Sequence, residues 1–140
     1  MSTLQGEMRV RDVAIPVGKF PLLSPKALLK TALEEMGQTR LGIVCIADAD
    51  MVLQGILTDG DIRRQLLSIQ KPFSAFFGDD VIDHAVREPA TVRTDASLMD
   101  AVLLMERKQV WDLPVVDETG KLAGLLHLHP VVQALLGITT

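Results

Sequence analysis

The chain has 140 residues, 48% of them apolar, so it is long enough to bury a well-packed core. Its formal net charge of -4 and its scattered basic residues argue against nucleic acid as a main partner. No apolar run approaches the roughly 20 residues that cross a bilayer, and residues 1–10 lack a hydrophobic signal core. We therefore expect a globular cytoplasmic protein with no membrane partner.

The first half of the chain predicts one mixed unit of strands and helices. In order, the predicted elements are a short strand near Phe20–Leu23, an amphipathic helix over Leu28–Gln38, strands over Ile43–Ala47 and Leu53–Thr58, and a helix over Asp59–Ile69. Ser24 and Pro25 predict an N-cap and a first-turn proline. The only cysteine, Cys45, falls in a strand and is expected to be a buried packing residue.

The second half predicts the same unit after a short linker over residues 71–80, where Pro72 and Gly78 interrupt regular structure. Its elements are a strand near Thr91–Arg93, a helix around Leu98–Met105 with capping candidates Thr94 and Asp95, strands over Val115–Asp117 and Leu122–Leu126, and a helix over His129–Leu136. The segment Val81–Val86 parallels Val10–Ile15, and its His84 is expected at the surface.

The two halves are copies of one supersecondary unit. A shift of 69 positions aligns Ser24–Ile62 with Arg93–Val131 without a gap, with eight identities that fall on apolar and turn positions. We expect an α/β (α+β) fold of two β-α-β-β-α repeats, spanning residues 8–70 and 81–138. Because neither repeat could easily bury its apolar face alone, the two should pack sheet against sheet with pseudo-two-fold symmetry.

One motif, Gly55-Ile-Leu-Thr-Asp-Gly-Asp61, joins the second hairpin strand of the first repeat to its last helix. With the repeated pattern, it resembles tandem cystathionine-β-synthase (CBS) domains, also called Bateman modules. The resemblance implies a nucleotide site in which Thr58 meets phosphate or ribose and Asp61 accepts hydrogen bonds from the ribose hydroxyls.

Elementary chemistry is compatible with this assignment. Unpaired N–H groups at a helix N-terminus favour a phosphate oxygen, Gly60 permits close backbone approach, and a carboxylate can accept from a cis-diol. The alternative is that Asp59 and Asp61 are simply favourable first-turn acids and Thr58 is a β-branched strand end. Arg63 and Arg64 follow on the same helix about 100° apart, so one of them is expected to face the ligand and the sequence does not say which.

The longer string Gly55–Arg64 is similar to the C-terminal CBS pair of arabinose-5-phosphate isomerases of 3-deoxy-manno-octulosonate (Kdo) biosynthesis. The second copy, Gly124-Leu-Leu-His-Leu-His129, favours the same group, although Pro130 replaces the expected acid. The chain lacks the sugar-isomerase domain. The resemblance therefore implies the regulatory piece of such an enzyme or a free-standing relative.

The repeats are unequal, since Thr58 aligns with His127 and Asp61 with Pro130. We expect one good nucleotide site, with His127 and His129 on one side of an extended segment as part of its opposing wall. A metal site at these histidines is disfavoured because no other ligand accompanies them. Trp111 is compatible with stacking on a base and equally with core or dimer packing.

The sequence thus predicts a non-catalytic regulatory module. No nucleophile elbow, metal signature or P-loop is present. No cofactor is expected. The expected ligand is a nucleotide or nucleotide-sugar, with AMP, ATP, S-adenosylmethionine and CMP-Kdo as candidates, and the expected partners are a second copy in a homodimer and a sugar-isomerase domain. The alternative is a structural homodimerisation module with a vestigial pocket.

Overall fold

The computed structural model describes residues 8–137. The strands are β1 (Ile15–Pro16), β2 (Leu22–Leu23), β3 (Ile43–Ala47), β4 (Leu53–Thr58), β5 (Val92–Arg93), β6 (Asp112–Val116) and β7 (Leu122–His127). The helices are α1 (Leu29–Thr39), α2 (Asp59–Ser68), α3 (Phe73–Phe77), α4 (Leu98–Lys108) and α5 (Leu128–Leu135), with short 3₁₀ turns at Val10–Asp12 and Val81–His84. No helix in this described part is long and apolar enough to span a membrane. The mixed α/β class is confirmed.

The chain divides into two compact units. The continuous unit comprises Gly18–Pro89 and holds a sheet of order β2-β3-β4, in which β2 runs parallel and β4 antiparallel to β3. The split unit joins residues 8–17 with residues 90–137 and holds a sheet of order β1-β7-β6-β5. Each unit has its own apolar cluster of helix and strand side chains. Each unit therefore has the core that an independent fold needs.

The two hairpins are built alike, as the repeat predicts. Asp48 accepts the N–H groups of residues 50 and 52 on Oδ1, and Asp117 accepts those of residues 119 and 121 in the same way. Met51 and Gly120, which occupy equivalent places, both have a positive φ, of 65° and 86°. The local sequence therefore decides both turns, because Asx side chains close them without help from the rest of the fold.

Each unit contains a segment that belongs, by sequence order, with the other repeat. Val10 donates to the carbonyl of Ala96 at 2.9 Å in the split unit, and Val81 donates to that of Ala27 at 2.7 Å in the continuous unit. Both valines are fully buried. The compact units thus cut across the repeats at residues 8–70 and 81–138, because the first residues of each repeat, 8–17 and 81–89, pack in the unit of the other one.

The two long helices at the start of each repeat are capped differently from the sequence prediction. Ser24, Thr94 and Asp95 are not N-caps: α1 begins after Leu28 without a side-chain cap, and α4 is capped by Ser97, whose Oγ accepts from the N–H of Asp100. The first N–H of α1 donates to the carbonyl of Asp79 at 2.9 Å, and that of α4 donates to the carbonyl of Met8 at 2.8 Å. The backbone carbonyls of Asp79 and Met8, which are distant in sequence, therefore accept from donors that a nearby side chain was expected to satisfy.

The predicted linker, residues 71–80, is not irregular. It forms α3, which begins after Pro72 and ends at Gly78, so the two expected breakers mark its ends. Phe76 is only 1% exposed and joins the apolar cluster of the continuous unit. The second hairpin also differs from expectation, because β6 begins at Asp112 and not at Val115. Cys45 is fully buried, as predicted.

Candidate functional site

The candidate site of the first repeat lies where β4 ends and α2 begins, in the continuous unit. Thr58 is the N-cap of α2, with an extended backbone, and its Oγ1 accepts the N–H of Asp61 at 3.1 Å. Asp61 returns the contact, since its Oδ2 accepts the N–H of Thr58 at 3.1 Å. The two residues nominated as ligand-binding therefore form a reciprocal capping box, which is a structural role in itself.

Of the two arginines on α2, the structure brings Arg64 to this junction. Its Nη2 donates to Oδ1 of Asp61 at 2.7 Å, and a Cβ added at Gly60 would lie 3.3 Å from its Nη1. Arg64 is an exposed residue, with 65% of its side chain accessible, whereas the Asp61 side chain is 18% accessible. Arg63 is also exposed and projects about 100° away around the helix axis. Arg64 is thus the arginine that contacts Asp61, while which of the two faces a ligand stays a prediction.

Asp59 is positioned by a residue that the sequence reasoning did not single out. The N–H of Asp59 donates to the carbonyl of Gly42 at 3.0 Å, and its carboxylate lies so close that a Cβ at Gly42 would be 2.8 Å from Oδ2. Any side chain at position 42 would displace this carboxylate. The repeat alignment carried one signal for this contact. The small Gly42 and the acidic Asp59 align with the large Trp111 and the apolar Leu128.

The equivalent junction of the second repeat has different chemistry. His127 occupies the N-cap position of α5 and makes no side-chain cap; its Nδ1 lies 2.7 Å from Oδ1 of Asp112, its partner across β6 and β7. The N–H of Leu128 donates to the carbonyl of Trp111 at 2.9 Å, which matches the contact between Asp59 and Gly42. The backbone geometry is therefore repeated, while the polar side chains are not.

One prediction for this junction is wrong, and one of the alternatives for Trp111 is excluded. His129 does not continue an extended segment with His127, because α5 has already begun at Leu128; His129 is exposed on its first turn. Trp111 is 71% exposed, so it does not belong to the core. Among residues 8–137, no three His, Cys, Asp or Glu side chains cluster as a metal site would require.

His84 was expected at the surface, and this is also wrong. Its side chain is 8% accessible and stacks on Phe76 with ring centroids 4.6 Å apart. Nε2 lies 2.7 Å from Oδ2 of Asp79, and Nδ1 is hydrogen-bonded to Oε1 of Gln65. The amide nitrogen of Gln65 donates to the carbonyl of His84 at 2.9 Å. This buried network ties α2 to the segment that follows α3, and no sequence motif announced it.

The fold and the repeated junction define a known class of protein. The family model of the CBS domain matches residues 10–68 and again residues 80–137. These two matches cover most of the chain, so the chain belongs to the CBS domain family and carries a pair of these domains. The resemblance inferred from the sequence is confirmed.

Particular relatives can be named. Arabinose 5-phosphate isomerase GutQ of Escherichia coli strain K12 is 33% identical over 129 residues, which cover 89% of this chain and 36% of that protein. Arabinose 5-phosphate isomerase KdsD of Yersinia pestis is 32% identical over 127 residues, covering 91% of this chain and 37% of that protein. The chain thus spans little more than a third of the length of these relatives.

A solved structure is similar over almost its full length. CBSX2 in complex with AMP is 30% identical, with a TM-score of 0.81, and the match covers 92% of this chain and 96% of that one. The same protein from Arabidopsis thaliana has also been solved with a TM-score of 0.79. The similarity extends over both CBS domains and so includes the junction between β4 and α2.

Proposed function

We propose that this chain is a regulatory binding module that takes an adenine nucleotide at the junction of β4 and α2. The observation that carries the proposal is the pairing of a hydroxyl, Thr58, with a carboxylate, Asp61, at the start of a ten-residue helix. The complex of CBSX2 with AMP supports an adenine nucleotide as the first ligand to test.

Each group has a role that its chemistry suits. The Thr58 hydroxyl lies at the end of α2 where the helix dipole favours an anion, so its proton suits a phosphate oxygen. The N–H groups of Asp59 and Asp61 are already bonded to the carbonyl of Gly42 and to Oγ1 of Thr58. The carboxylate of Asp61 suits the two ribose hydroxyls, because an ionised carboxylate is an acceptor at both oxygens. Gly60 leaves the first turn open to a ligand.

A single site per chain follows from the unequal repeats. The second junction has His127 and Pro130 where the first has Thr58 and Asp61, so it lacks both the hydroxyl and the acid. His127 is moreover engaged with Asp112. We propose one nucleotide per chain.

The regulated activity that we propose is that of a sugar-phosphate isomerase or a related enzyme. The similarity to GutQ and KdsD, which covers only 36 to 37% of those proteins, supports a module attached to or acting on such an enzyme. Under this proposal the chain has no catalytic role of its own. A cytidine-linked sugar such as CMP-Kdo is the competing ligand, because feedback on an isomerase of Kdo biosynthesis would use a late product.

A thermal-shift panel tests the ligand. The full chain is melted with AMP, ATP, S-adenosylmethionine, GMP or CMP-Kdo; a ligand at a hundred times its Kd adds about 2.7 kcal/mol, a rise of roughly 5–11 °C for a chain of this size. We expect the largest rise with AMP or ATP. A rise with CMP-Kdo alone would replace adenine by cytidine, and no rise with any nucleotide would contradict the proposal.

Matched variants separate binding from capping. Thr58→Ala and Ser97→Ala each remove an N-cap hydroxyl, and each should lower stability by about 0.5–2 kcal/mol. Only Thr58→Ala should also abolish the nucleotide-dependent rise, because Ser97 caps α4 in the other unit. If Ser97→Ala abolishes the rise equally, loss of stability and not loss of a ligand contact explains the effect.

A second function, homodimerisation, is favoured by large exposed apolar side chains on the helices or next to their ends. Leu67 is 83% exposed, Leu136 67%, Phe73 64% and Leu103 56%. Scattered exposed apolar residues are common, but side chains this large and this exposed suit a covered face. Sedimentation of the chain with and without nucleotide tests this: a dimer that forms without any nucleotide response would support a scaffold with a vestigial site.

A further inference from the structure

Both carboxylate oxygens of Asp61 accept hydrogen bonds from the chain itself. Oδ2 accepts the N–H of Thr58 at 3.1 Å, and Oδ1 accepts Nη2 of Arg64 at 2.7 Å. A vicinal diol that binds this carboxylate must therefore displace one of these donors or share an oxygen with it. The two donors differ in how easily they can leave.

Arg64 is the donor that can move. The N–H of Thr58 is a backbone group fixed by the end of β4, whereas Arg64 carries a long side chain that is 65% accessible. An exposed ion pair three residues apart on a helix contributes little to stability, since water and salt screen it. Oδ1 of Asp61 can thus be released at small cost, while Oδ2 keeps the capping box intact.

The guanidinium of Arg64 already lies beside the N-terminus of α2. Its Nη1 lies close above Gly60, at 3.3 Å from the position of an added Cβ. A guanidinium in this place can form two parallel hydrogen bonds with a phosphate, a stronger contact than the exposed pair that it leaves. A phosphorylated ligand therefore compensates for the contact that its ribose disrupts.

We propose that Arg64 acts as an exchangeable latch. Without ligand it is hydrogen-bonded to Oδ1 of Asp61, the oxygen that would bind the diol, and on binding it moves to the ligand phosphate. This inference rests on the proposed nucleotide site. It makes Arg64 the residue that selects nucleotides over nucleosides: adenosine must break the contact between Asp61 and Arg64 without replacing it, whereas AMP replaces it.

Isothermal titration of the full chain with AMP and with adenosine tests the latch, and Arg63→Ala is the matched control because it removes the same charge one position away. Arg64→Ala should weaken AMP binding about tenfold, as expected for loss of a charge-assisted contact. The same variant should leave adenosine binding unchanged or tighten it, by up to about fivefold. Arg63→Ala should behave like the wild type with both ligands.

Combining Arg64→Ala with Asp61→Asn shows whether Arg64 acts through Asp61. In Asp61→Asn the neutral amide holds Arg64 weakly, so adding Arg64→Ala should no longer tighten adenosine binding. Equal weakening of AMP and adenosine by Arg64→Ala, or equal effects of Arg63→Ala and Arg64→Ala, would overturn the latch while leaving the nucleotide site standing. Failure of the wild-type chain to bind either ligand would overturn the proposed function and the latch together.

Discussion

Replacing Gly55 with alanine should destabilise the chain strongly, because residues 85–87, the segment that pairs with β4 through Ile56 and Val86, pack directly on this glycine. An added Cβ would lie 2.7 Å from the carbonyl oxygen of Val86 and 3.2 Å from Cβ of Ala85, and the nearer contact is with backbone that cannot rotate away. To relieve the clash, the segment must move off the strand.

The magnitude follows from what that movement breaks. Ile56 and Val86 exchange two backbone hydrogen bonds, of 3.0 and 2.8 Å, and each contributes about 0.5–1.5 kcal/mol. Over-packing at a buried site costs a similar amount, about 1–3 kcal/mol. We therefore expect Gly55→Ala to lower the free energy of unfolding by about 2–4 kcal/mol. Urea unfolding followed by circular dichroism measures it.

Gly37→Ala is the matched control for this change. Gly37 lies in α1 with nothing within 4 Å of an added Cβ, so the same substitution should stabilise the helix by about 0.5–1 kcal/mol. A loss of stability at Gly55 together with a gain at Gly37 would support the contact between β4 and residues 85–87 as the cause. A Gly55→Ala protein within 0.5 kcal/mol of the wild type would refute the reasoning, since the segment would then not press on β4.

Three further outcomes are expected. Arg40 and Gln109, both exposed, end α1 and α4 with φ of 57° and 54°, so changing either to glycine should raise the free energy of unfolding by roughly 0.5–1 kcal/mol in urea. The pKa of Asp79 is lowered from its usual 3.8 by hydrogen bonds from Lys71 and then His84, so the stability that Asp79→Asn loses should be constant at neutral pH and begin to shrink as the pH falls below about 4, toward the lowered pKa; a difference unchanged at pH 2 would refute this. His84→Ala should cost about 1–3 kcal/mol in thermal or urea unfolding at neutral pH, since Phe76 loses its stacked ring and two side chains, Gln65 and Asp79, each lose a hydrogen bond; no loss would contradict the burial of His84.

Much of the fold was readable because its signals are local. The bounds of β3 and β4 are those predicted, and the four long helices begin or end within a few residues of prediction, because apolar periodicity and Asx turns act over short stretches. Thr58 and Asp61 were nominated because their motif resembles that of CBS domains, and the structure adds that they form a capping box. Their role toward a nucleotide stays a prediction.

The sequence by itself determined the repeat, the order of its elements and the unequal polar chemistry of the two junctions, because each is written in neighbouring residues. Only the tertiary structure decided which segments share a core: Val10 and Val81 carry no mark of crossing to the other repeat, and the backbone groups that bind them have no side-chain signature. For the same reason the burial of His84 and the reach of Arg64 to Asp61 could not be read. Such contacts depend on where long-range packing and side-chain rotamers bring two elements together.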